Sequence, residues 1–410
     1  MSAPCRGCGS PLNSILIDLG LQPISNALIS NEEGFADEKS YPLVVFVCNY
    51  CGLVQLNNEI DRGLHFNGNY TYFSSYSTSW LEHARNLAEK VIDELNLTSK
   101  DLVVEIASND GYLLQYFKQV GVRVLGYEPS QNVASEAISA RNIPTRVEFF
   151  GIEAAEKLRL EQEAPKLILG INVLAHVPDL YDFLGGIEVL LDNEGSAILE
   201  FPHLFNMMSK FQFDTIYHEH YSYLSLTALN PIIRKSGLKV TSVEKIGTHG
   251  GSLRVNLAKI GSKMIESREL TQIILEELAI DPRDPEVRKK FQDNVSRIVR
   301  DLSIEINRLN KSGKRVIGYG AAAKGNTILN LAKIDAAQIE CVVDKNPFKQ
   351  GKFLPGSHIP IYGVDILKTN LPEVILILPW NLSSEIQAEL RALGVHAPIF
   401  KAIPKLEYLG

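Results

Sequence analysis

Residues 101–114 read DLVVEIASNDGYLL, an apolar run followed by a polar loop with one glycine and then a second apolar run. This pattern predicts a buried strand, a tight loop and the start of a helix. In open sheets built from such units, ligands bind where the strands end. The stretch therefore predicts an α/β fold and marks the first place to look for a binding site.

The chemistry of this loop differs from that of a dinucleotide site. A pyrophosphate is cradled by a G-x-G-x-x-G pattern, whereas this loop has a single glycine, Gly111, and two acidic side chains, Glu105 and Asp110. Carboxylates suit a cationic ligand without phosphate, such as a sulfonium that also bears a free amino group. The sequence therefore favours S-adenosylmethionine over NAD as the cofactor.

Two further polar stretches follow expected strands of the same sheet. Glu128 comes after an apolar run and is well placed to accept the two hydroxyls of a ribose. Asn172 and His176 follow the next apolar run along the chain. The full set of candidate cofactor-binding residues is Glu105, Ala107, Asn109, Gly111, Glu128, Asn172 and His176.

Apolar runs alternate with helical stretches around this loop, as is typical of a parallel sheet covered on both faces. The expected strands of this central, Rossmann-like unit are 102–106, 122–127, 167–171, 197–201, 239–246 and 252–260. A mostly helical region at 264–311, broken at Asp281 and Pro282, leads to a second and smaller Rossmann-like α/β unit. Its expected strands are 315–319, 339–343 and 373–378.

Four of the five cysteines form two C-x2-C pairs, Cys5 with Cys8 and Cys48 with Cys51. Two residues between thiolates allow a tight turn to aim both sulfurs at one tetrahedral metal ion. The alternative is four unrelated buried cysteines, but the spacing favours zinc, and four protein ligands make its role structural. Cys341 lies in an apolar run and is expected to be a buried strand residue.

The composition is that of a globular protein with more than one domain: 410 residues, 45% hydrophobic and 22% charged, with a net charge of −7. The negative charge argues against a nucleic-acid partner. No secretory signal is visible, and the longest apolar run, 43–47, is too short for a bilayer. We expect a cytoplasmic protein without membrane contact, with domains at 1–72 (zinc-binding), 73–262 (methyltransferase-type) and 263–410 (C-terminal α/β).

The densest polar cluster of the sequence is TIYHEHYSY at 215–223, with two imidazoles, one carboxylate and three phenols. Histidine titrates near neutrality and can take and return a proton. A zinc protease would need H-E-x-x-H on a helix, and that spacing is absent. We prefer acid–base catalysis or substrate binding here; a metal site and a structural aromatic corner are the alternatives.

These motifs together resemble those of the sugar C-methyltransferases, which act on nucleotide-linked 4-keto-deoxysugars. The resemblance covers essentially the whole chain. Besides the four cysteines, it rests on 104–111 (VEIASNDG), 172–176 (NVLAH), 217–220 (YHEH), 249–254 (HGGSLR), 318–326 (GYGAAAKGN) and 354–360 (LPGSHIP). Two positions depart from the pattern: Ala107 replaces a glycine of the broader methyltransferase motif, and Leu224 stands where an aromatic residue is usual.

The resemblance implies methyl transfer from S-adenosylmethionine to a carbon, C3, next to the keto group of the sugar, through an enolate. It implies that Tyr217 and His220 lie at the sugar and transfer protons. It also implies that a tyrosine after the zinc-binding domain reaches the sugar, and we prefer Tyr72 over Tyr70 and Tyr76. The candidate catalytic residues are His220, Tyr217, Tyr72, Glu219 and His218.

The resemblance further implies that the C-terminal unit holds the nucleotide diphosphate of the substrate. The loop from Gly318 to Asn326 is expected at a strand-to-helix turn, where backbone N–H groups and the helix dipole favour phosphate. The candidate substrate-binding residues are Tyr70, His203, His249, Arg254, Gly320, Lys324, Asn326 and His358.

Three other functions fit parts of the sequence. An O- or N-methyltransferase would keep the fold and change the acceptor atom. An NAD-dependent oxidoreductase would use the loop near Gly318, although the lysine of this loop and the lack of a distal acidic partner favour a substrate phosphate. A non-catalytic zinc scaffold or binding module would need only the cysteine pairs.

Overall fold

The computed structural model describes residues 3–57, 60–66, 68 and 70–409, and these form three β-sheets with helices between them. The N-terminal part contains β1 (Ser14–Pro23), β2 (Ser40–Val47), β3 (Val54–Leu56), α1 (Arg62–His65) and α2 (Thr78–Leu95). Helix α2 begins where the Ser77 hydroxyl accepts a hydrogen bond from the backbone N–H of Trp80, and it ends at Asn96 in the left-handed conformation.

The central part carries the largest sheet. Its elements are β4 (Leu102–Ile106), α3 (Leu114–Gln119), β5 (Arg123–Tyr127), α4 (Gln131–Arg141), β6 (Thr145–Arg146), α5 (Ile152–Glu161), β7 (Leu167–Ile171), α6 (Leu180–Leu190), β8 (Ser196–Pro202), α7 (Leu204–Ser209), β9 (Ser222–Tyr223), α8 (Leu226–Lys235), β10 (Leu238–Ile246) and β11 (Ser252–Lys259). The strand order is β10-β11-β8-β7-β4-β5-β6. The five strands from β8 to β6 are parallel, and β10 and β11 form an antiparallel edge.

The C-terminal part begins with two helices and ends in a six-stranded sheet. Its elements are α9 (Glu269–Leu278), α10 (Pro285–Lys311), β12 (Val316–Tyr319), α11 (Ala323–Leu331), β13 (Cys341–Val343), β14 (Ile361–Tyr362), β15 (Val374–Ile377), α12 (Ser383–Ala392), β16 (Ile399–Lys401) and β17 (Glu407–Leu409). The order is β14-β13-β12-β15-β16-β17, parallel except for the last pair.

The expected α/β architecture is confirmed. The apolar runs at 102–106 and 167–171 are strands β4 and β7, buried along their whole length as parallel strands are. The expected break at Asp281 and Pro282 lies between the end of α9 and the start of α10, where Asp284 caps the helix and Pro285 is its first residue. The strand expected at 339–343 begins only at Cys341.

One strand joins a sheet that is remote from it in sequence. Strand β9 pairs with β3 and thereby becomes the fourth strand of the N-terminal sheet, whose order is β1-β2-β3-β9. The register places Gln55 opposite Ser222 and Val54 opposite Tyr223. The polar block at 215–223 therefore ends inside the sheet that also carries the second cysteine pair.

The apolar cores follow this arrangement. One core includes Leu16 and Val45 of the N-terminal sheet, Phe291 of α10 and Leu376 of the C-terminal sheet, so the N-terminal sheet packs on the C-terminal part of the chain. A second core fills one face of the central sheet. Within the described residues, no helix combines the length and the apolar character needed to cross a bilayer.

Candidate active site

The four paired cysteines converge at one end of the N-terminal sheet. Their sulfurs all lie within 4.8 Å of one another, and the distances Cys5–Cys51 and Cys8–Cys48 are both 3.5 Å. Sulfurs bound to one tetrahedral zinc ion at about 2.3 Å are about 3.8 Å apart, so the cluster has the size and chemistry of a closed zinc site. Cys341 lies elsewhere, buried in β13.

A cavity of about 310 Å³ lies at the carboxyl ends of the central parallel strands. It is also lined by the segment that precedes α2, by the polar block at 215–223 and by the loop between β12 and α11. It brings together these residues expected from the sequence: Tyr70, Tyr72, Ala107, Asn109, Glu128, Asn172, His176, Tyr217, Glu219, His220, His249 and Lys324. Tyr76 is not among the lining residues.

The loop after β4 is built around a left-handed turn. Ala107 and Asn109 have φ values of +57° and +51°, a conformation that favours glycine. The side chain of Asn109 accepts a hydrogen bond from the backbone of Ser74 (2.8 Å) and donates one to the carbonyl of Tyr72 (3.2 Å). The loop is therefore tied to the segment that precedes α2.

Glu128 lies at the end of β5 and faces the cavity. Its carboxylate accepts hydrogen bonds from the backbone N–H groups of Asn109 (3.2 Å) and Ser130 (2.8 Å). Burial nevertheless raises the pKa of Glu128 to about 7. Glu128 is buried among protein atoms but lines the cavity, so its carboxylate is suited to accept hydrogen bonds from the hydroxyl groups of a ligand.

Two residues of the expected cofactor set do not line the cavity. Glu105 is fully buried within β4, and burial together with Asp110 holds the pKa of this carboxyl well above its usual range. Gly111 has φ +77°, and a Cβ there would lie 3.0 Å from Ile143. Both residues therefore contribute to the packing of the loop and not to the cavity wall.

Asn172 and His249 both line the cavity and contact each other. The Asn172 side chain lies 2.9 Å from Nε2 of His249, and both residues have positive φ values. Burial, with a contribution from Lys324, lowers the pKa of His249 to about 3, so the imidazole is neutral. The ring of Trp80 lies 5.0 Å from that of His249.

His220 lies deep in the cavity wall and is held in one tautomer. Its Nδ1 is 2.7 Å from the carbonyl oxygen of Thr215, which can only accept a hydrogen bond, so Nδ1 carries the proton and Nε2 does not. Burial and the neighbouring His176, whose ring is 4.6 Å away, hold the pKa of His220 well below its usual range. The ring of Tyr217 lies 4.0 Å from that of His220.

Glu219 is buried beside these groups. It accepts hydrogen bonds from the side-chain amide of Asn26 (2.7 Å) and from the hydroxyl of Tyr70 (3.4 Å). Burial raises the pKa of Glu219 to about 7. His218 points elsewhere: it is buried, and its ring lies 6.1 Å from that of Tyr41 in β2.

Three residues expected to bind substrate lie outside the cavity, and each is paired with a carboxylate. His203 lies 2.7 Å from Glu277, Arg254 lies 2.6 Å from Glu200, and His358 lies 2.8 Å from Glu38. These side chains are thus used in contacts that hold parts of the fold together.

The loop between β12 and α11 presents Lys324 to the cavity, while Gly320 and Asn326 do not line it. The Nζ atom of Lys324 is buried and has no hydrogen-bond partner among the described residues. It lies 5.4 Å from the ring centroid of Trp380. Burial lowers the pKa of Lys324, and the nearby Asp214 opposes this effect. A buried amine that lacks a hydrogen-bond partner and lies at a helix N-terminus is suited to an anionic ligand.

Comparison with known proteins agrees with this geometry. Family models match residues 5–66 as a zinc binding domain, 80–243 as a methyltransferase domain and 247–400 as a C-methyltransferase C-terminal domain. C-methyltransferase NovU from Streptomyces niveus is 33% identical over 382 residues, which cover 93% of this chain and 90% of that protein. The chain belongs to the C-methyltransferase family.

As a C-methyltransferase, the protein uses S-adenosylmethionine, and its four cysteines form a structural zinc site. The oxidoreductase and scaffold alternatives are thereby set aside. Similar solved structures include the PH0226 protein from Pyrococcus horikoshii OT3 (15% identity, TM-score 0.38, covering 46% of this chain and 95% of that one). Another is magnesium protoporphyrin IX methyltransferase from Synechocystis PCC 6803 (16% identity, TM-score 0.33, covering 44% and 79%).

The structure corrects one statement about the C-terminal unit of this C-methyltransferase. The sequence suggested no distal acidic partner for the loop near Gly318, but Asp344 stands at the end of β13, the strand next to β12. Its carboxylate accepts the backbone N–H of Ala321 (2.8 Å) and lies 3.4 Å from Nζ of Lys349. The acidic residue is therefore present, but its carboxylate is already bound by the backbone and by a lysine of the same chain.

Several cavity residues of the C-methyltransferase were missed by sequence reasoning. Trp80 in the first turn of α2 lines the cavity, as do Asn26, Tyr112 and Lys349. Asn26 lies in a loop of the N-terminal part of the chain, 193 residues before Glu219, to which its side chain donates a hydrogen bond. None of these residues lies in a recognisable motif, although an aromatic residue in the first turn of a helix that precedes β4 was a usable signal.

Proposed function

We propose that this C-methyltransferase adds the methyl group to C3 of a nucleotide-linked 4-keto-deoxysugar, with His220 as the base that removes the proton next to the ketone. The observation that carries the proposal is the single tautomer of His220. Its Nδ1 donates to Thr215, so Nε2 is free to accept a proton. The low pKa of His220 keeps the imidazole neutral at pH 7.

S-adenosylmethionine supplies an electrophilic methyl group on a sulfonium. Glu128 is the residue we assign to the ribose hydroxyls, because its carboxylate is open to the cavity. Ala107 and Asn109 bring the loop backbone close to the cofactor, and Asn172 and His176 line the same cavity. The acidic character of this wall suits a cationic ligand.

The ketone oxygen gains negative charge as the proton leaves the neighbouring carbon. Stabilising that charge in a dry site is usually the largest contribution to the rate. Tyr217 and Tyr72 both line the cavity. Burial holds the pKa of the Tyr217 hydroxyl well above its usual range, so this hydroxyl remains a hydrogen-bond donor. Tyr70 acts through Glu219, to which its hydroxyl donates.

The nucleotide diphosphate is assigned to the loop between β12 and α11. The support is Lys324, whose buried Nζ has no hydrogen-bond partner among the described residues. Helix α11 starts directly at this loop and adds the positive end of its dipole. In this proposal the chain divides as expected from the sequence, at about residues 72 and 262, and the cavity lies where the three parts meet.

The first experiment identifies the substrate class. Thermal unfolding is followed with S-adenosylhomocysteine and a panel of dTDP-, UDP-, GDP- and CDP-linked 4-keto-6-deoxyhexoses. A ligand that binds the folded state raises the midpoint by mass action. Turnover with a stabilising sugar and methyl-13C cofactor is then followed by carbon-13 NMR, which distinguishes a C-methyl from an O-methyl product. An O-methyl or N-methyl signal would overturn the proposal.

The second experiment tests the base. In His220→Ala, turnover is expected to fall by about a hundred- to ten-thousandfold, because general base catalysis contributes about 10²–10⁴ to the rate. Calorimetry should show S-adenosylmethionine binding within threefold of the unaltered enzyme. Near-normal turnover in this variant would remove His220 from the mechanism.

A further inference from the structure

We propose that Arg6, which lies inside the first zinc-binding cysteine pair, is a positioning residue for methyl transfer. It holds the backbone of Tyr221, the residue directly after His220, and thereby fixes the catalytic segment 217–220 in the cavity wall. The inference rests on the proposed function of that segment. It gives the zinc site a role in the turnover rate in addition to its role in folding.

The contacts of the arginine lead from the metal site to the catalytic segment. Arg6 stands between Cys5 and Cys8, so the tight turn of the zinc site sets its direction. Its Nη1 donates to the carbonyl oxygens of Leu56 (2.6 Å) and Tyr221 (3.2 Å). The guanidinium carbon lies 5.5 Å from the centroid of the Tyr221 ring.

The carbonyl of Tyr221 is held from two sides. Besides Arg6, the backbone N–H of Leu56 donates to it at 3.0 Å. The next residue, Ser222, starts β9 and pairs with Gln55 of β3. Gln55 accepts the backbone N–H of Arg6 (2.9 Å) and donates to Sγ of Cys5 (3.1 Å). Cys5, Arg6, Gln55 and the backbone after His220 are therefore connected by one continuous set of hydrogen bonds.

The position of His220 in the cavity wall depends on how the residues around it are held. His220 is fixed at its ring by the carbonyl of Thr215 and at its backbone by the carbonyl of Tyr217, both within the polar block at 215–223. Strand β9 has only two residues, which is a short anchor for a buried loop. The hydroxyl of Tyr221 donates to the carbonyl of Ile60 (2.7 Å), which is a further contact with the N-terminal part of the chain.

The energetics favour an effect on rate over an effect on binding. A guanidinium that donates to a carbonyl forms a charge-assisted hydrogen bond, about twice as strong as a neutral one. Its loss lets the segment shift, and a displacement of about 1 Å at a catalytic group lowers turnover about a hundredfold. The cofactor-binding residues lie on the central strands and loops, which Arg6 does not contact through any of these bonds.

The test compares Arg6→Ala with Arg6→Lys and with a matched control, Arg283→Ala. Arg283 lies against the other cysteine pair, with its Nε 3.8 Å from the position of a Cβ at Gly52, and it pairs with Asp281. For each holoenzyme we would measure zinc per chain, the midpoint of thermal unfolding, and the affinity for S-adenosylmethionine. We would also measure kcat and KM with the nucleotide 4-keto-sugar found in the panel, and amide hydrogen exchange of residues 216–224.

In Arg6→Ala, kcat is expected to fall about ten- to hundredfold, with zinc at one per chain and with KM and cofactor affinity within threefold. Exchange of 216–224 should rise. Arg6→Lys keeps a donor and should recover a large part of kcat, and Arg283→Ala should match the unaltered enzyme.

Two results would overturn the proposal: a kcat of Arg6→Ala within twofold of normal, or a loss of kcat that follows a parallel loss of zinc or of cofactor binding. If the unaltered enzyme methylates no sugar in the panel, the proposed function fails instead, and amide exchange still shows whether Arg6 holds the segment. Unchanged exchange would then reject the role of Arg6.

Discussion

The central sheet and the C-terminal sheet share one local plan but use it differently. In each, a strand leads through a glycine-containing loop into a helix, and the adjacent parallel strand ends in an acidic residue. In each, that acid accepts a backbone N–H from the loop: Glu128 from Asn109 at 3.2 Å, and Asp344 from Ala321 at 2.8 Å.

The two carboxylates differ in their remaining contacts. Asp344 also accepts the backbone N–H of Asn346 (2.8 Å), and the ammonium of Lys349 lies 3.4 Å away. Glu128 has no ion pair among the described residues, and it lines the cavity while Asp344 does not. In the proposed assignment, Glu128 binds the cofactor and has no ion pair among the described residues, whereas Asp344 lies beside Lys349 and holds its own loop.

The largest effect that tests this comparison is expected in the C-terminal loop. Gly320 has φ +88°, and a Cβ there would lie 2.5 Å from Cδ of Pro379. Gly320→Ala is expected to lower the free energy of unfolding by about 3 kcal/mol, from backbone strain and overlap together. Chemical denaturation of the purified protein measures this change.

Gly313→Ala is the matched control for that substitution. Gly313 has a similar φ of +74°, but nothing lies within 4 Å of the position of its Cβ. Its loss should be about 1 kcal/mol, the backbone strain alone. Equal losses in the two variants would mean that Pro379 moves aside and that the loop is not rigid.

The next effect concerns the two acids themselves. Glu128→Gln is expected to weaken S-adenosylmethionine binding up to about a hundredfold, or about 2.7 kcal/mol, since hydrogen bonds to a charged group are worth about 1.5–3 kcal/mol each. Asp344→Asn should leave this affinity within twofold, because its carboxylate faces its own loop. Calorimetry measures both. A comparable loss in Asp344→Asn would erase the distinction between the sheets.

The open acid should also make cofactor binding depend on pH. Burial raises the pKa of Glu128 to about 7, and ribose hydroxyls donate to the ionised form. Affinity should therefore rise as pH rises, by about tenfold or about 1.4 kcal/mol between pH 6 and pH 8.

Glu219 also titrates near pH 7, so a control is needed to assign the effect. The pKa of His220 and that of His176 lie below this window, and both rings stay neutral across it. Calorimetry on Glu128→Gln should give an affinity that is flat between pH 6 and pH 8. A slope that persists in that variant would assign the titration to Glu219 or to another group.

The sequence predicted cavity residues that directly follow continuous apolar strands, and it missed contacts that depend on distant pairings. Glu128 and Asn172 each follow a largely buried five-residue strand, and both line the cavity. His203, Arg254 and His358 were expected at the substrate but pair with Glu277, Glu200 and Glu38, which are 74, 54 and 320 residues away. No local pattern encodes such partners.

The same reason explains the strand that was not foreseen. Strand β9 has two residues, too few to show a period of two, and only its pairing with β3 makes it a strand. Asp344 is a different case, because it directly follows the strand expected at 339–343 and could have been recognised from the sequence in the same way as Glu128. The fold could therefore be predicted from the order of apolar runs and helical stretches, whereas the ion pairs of the acids at the strand ends required the three-dimensional structure.

The smallest expected effect concerns the first loop. Ala107 adopts φ +57°, whereas the second loop uses glycine for its left-handed residue. Ala107→Gly relieves backbone strain of about 1–2 kcal/mol, and the greater freedom of glycine in the unfolded chain returns about half of that. A net gain in the free energy of unfolding of less than about 1 kcal/mol is expected in chemical denaturation.

Cofactor affinity should stay within twofold in Ala107→Gly, because the next turn of the loop is fixed by other contacts. Ser74 donates to the Asn109 side chain, and that side chain donates to the carbonyl of Tyr72. Asn142→Gly, at a left-handed helix end outside the cavity, controls for strain relief alone. A fall in affinity in Ala107→Gly but not in Asn142→Gly would mean that the methyl group of Ala107 itself aims the loop at Glu128, so that the strain is part of the open site.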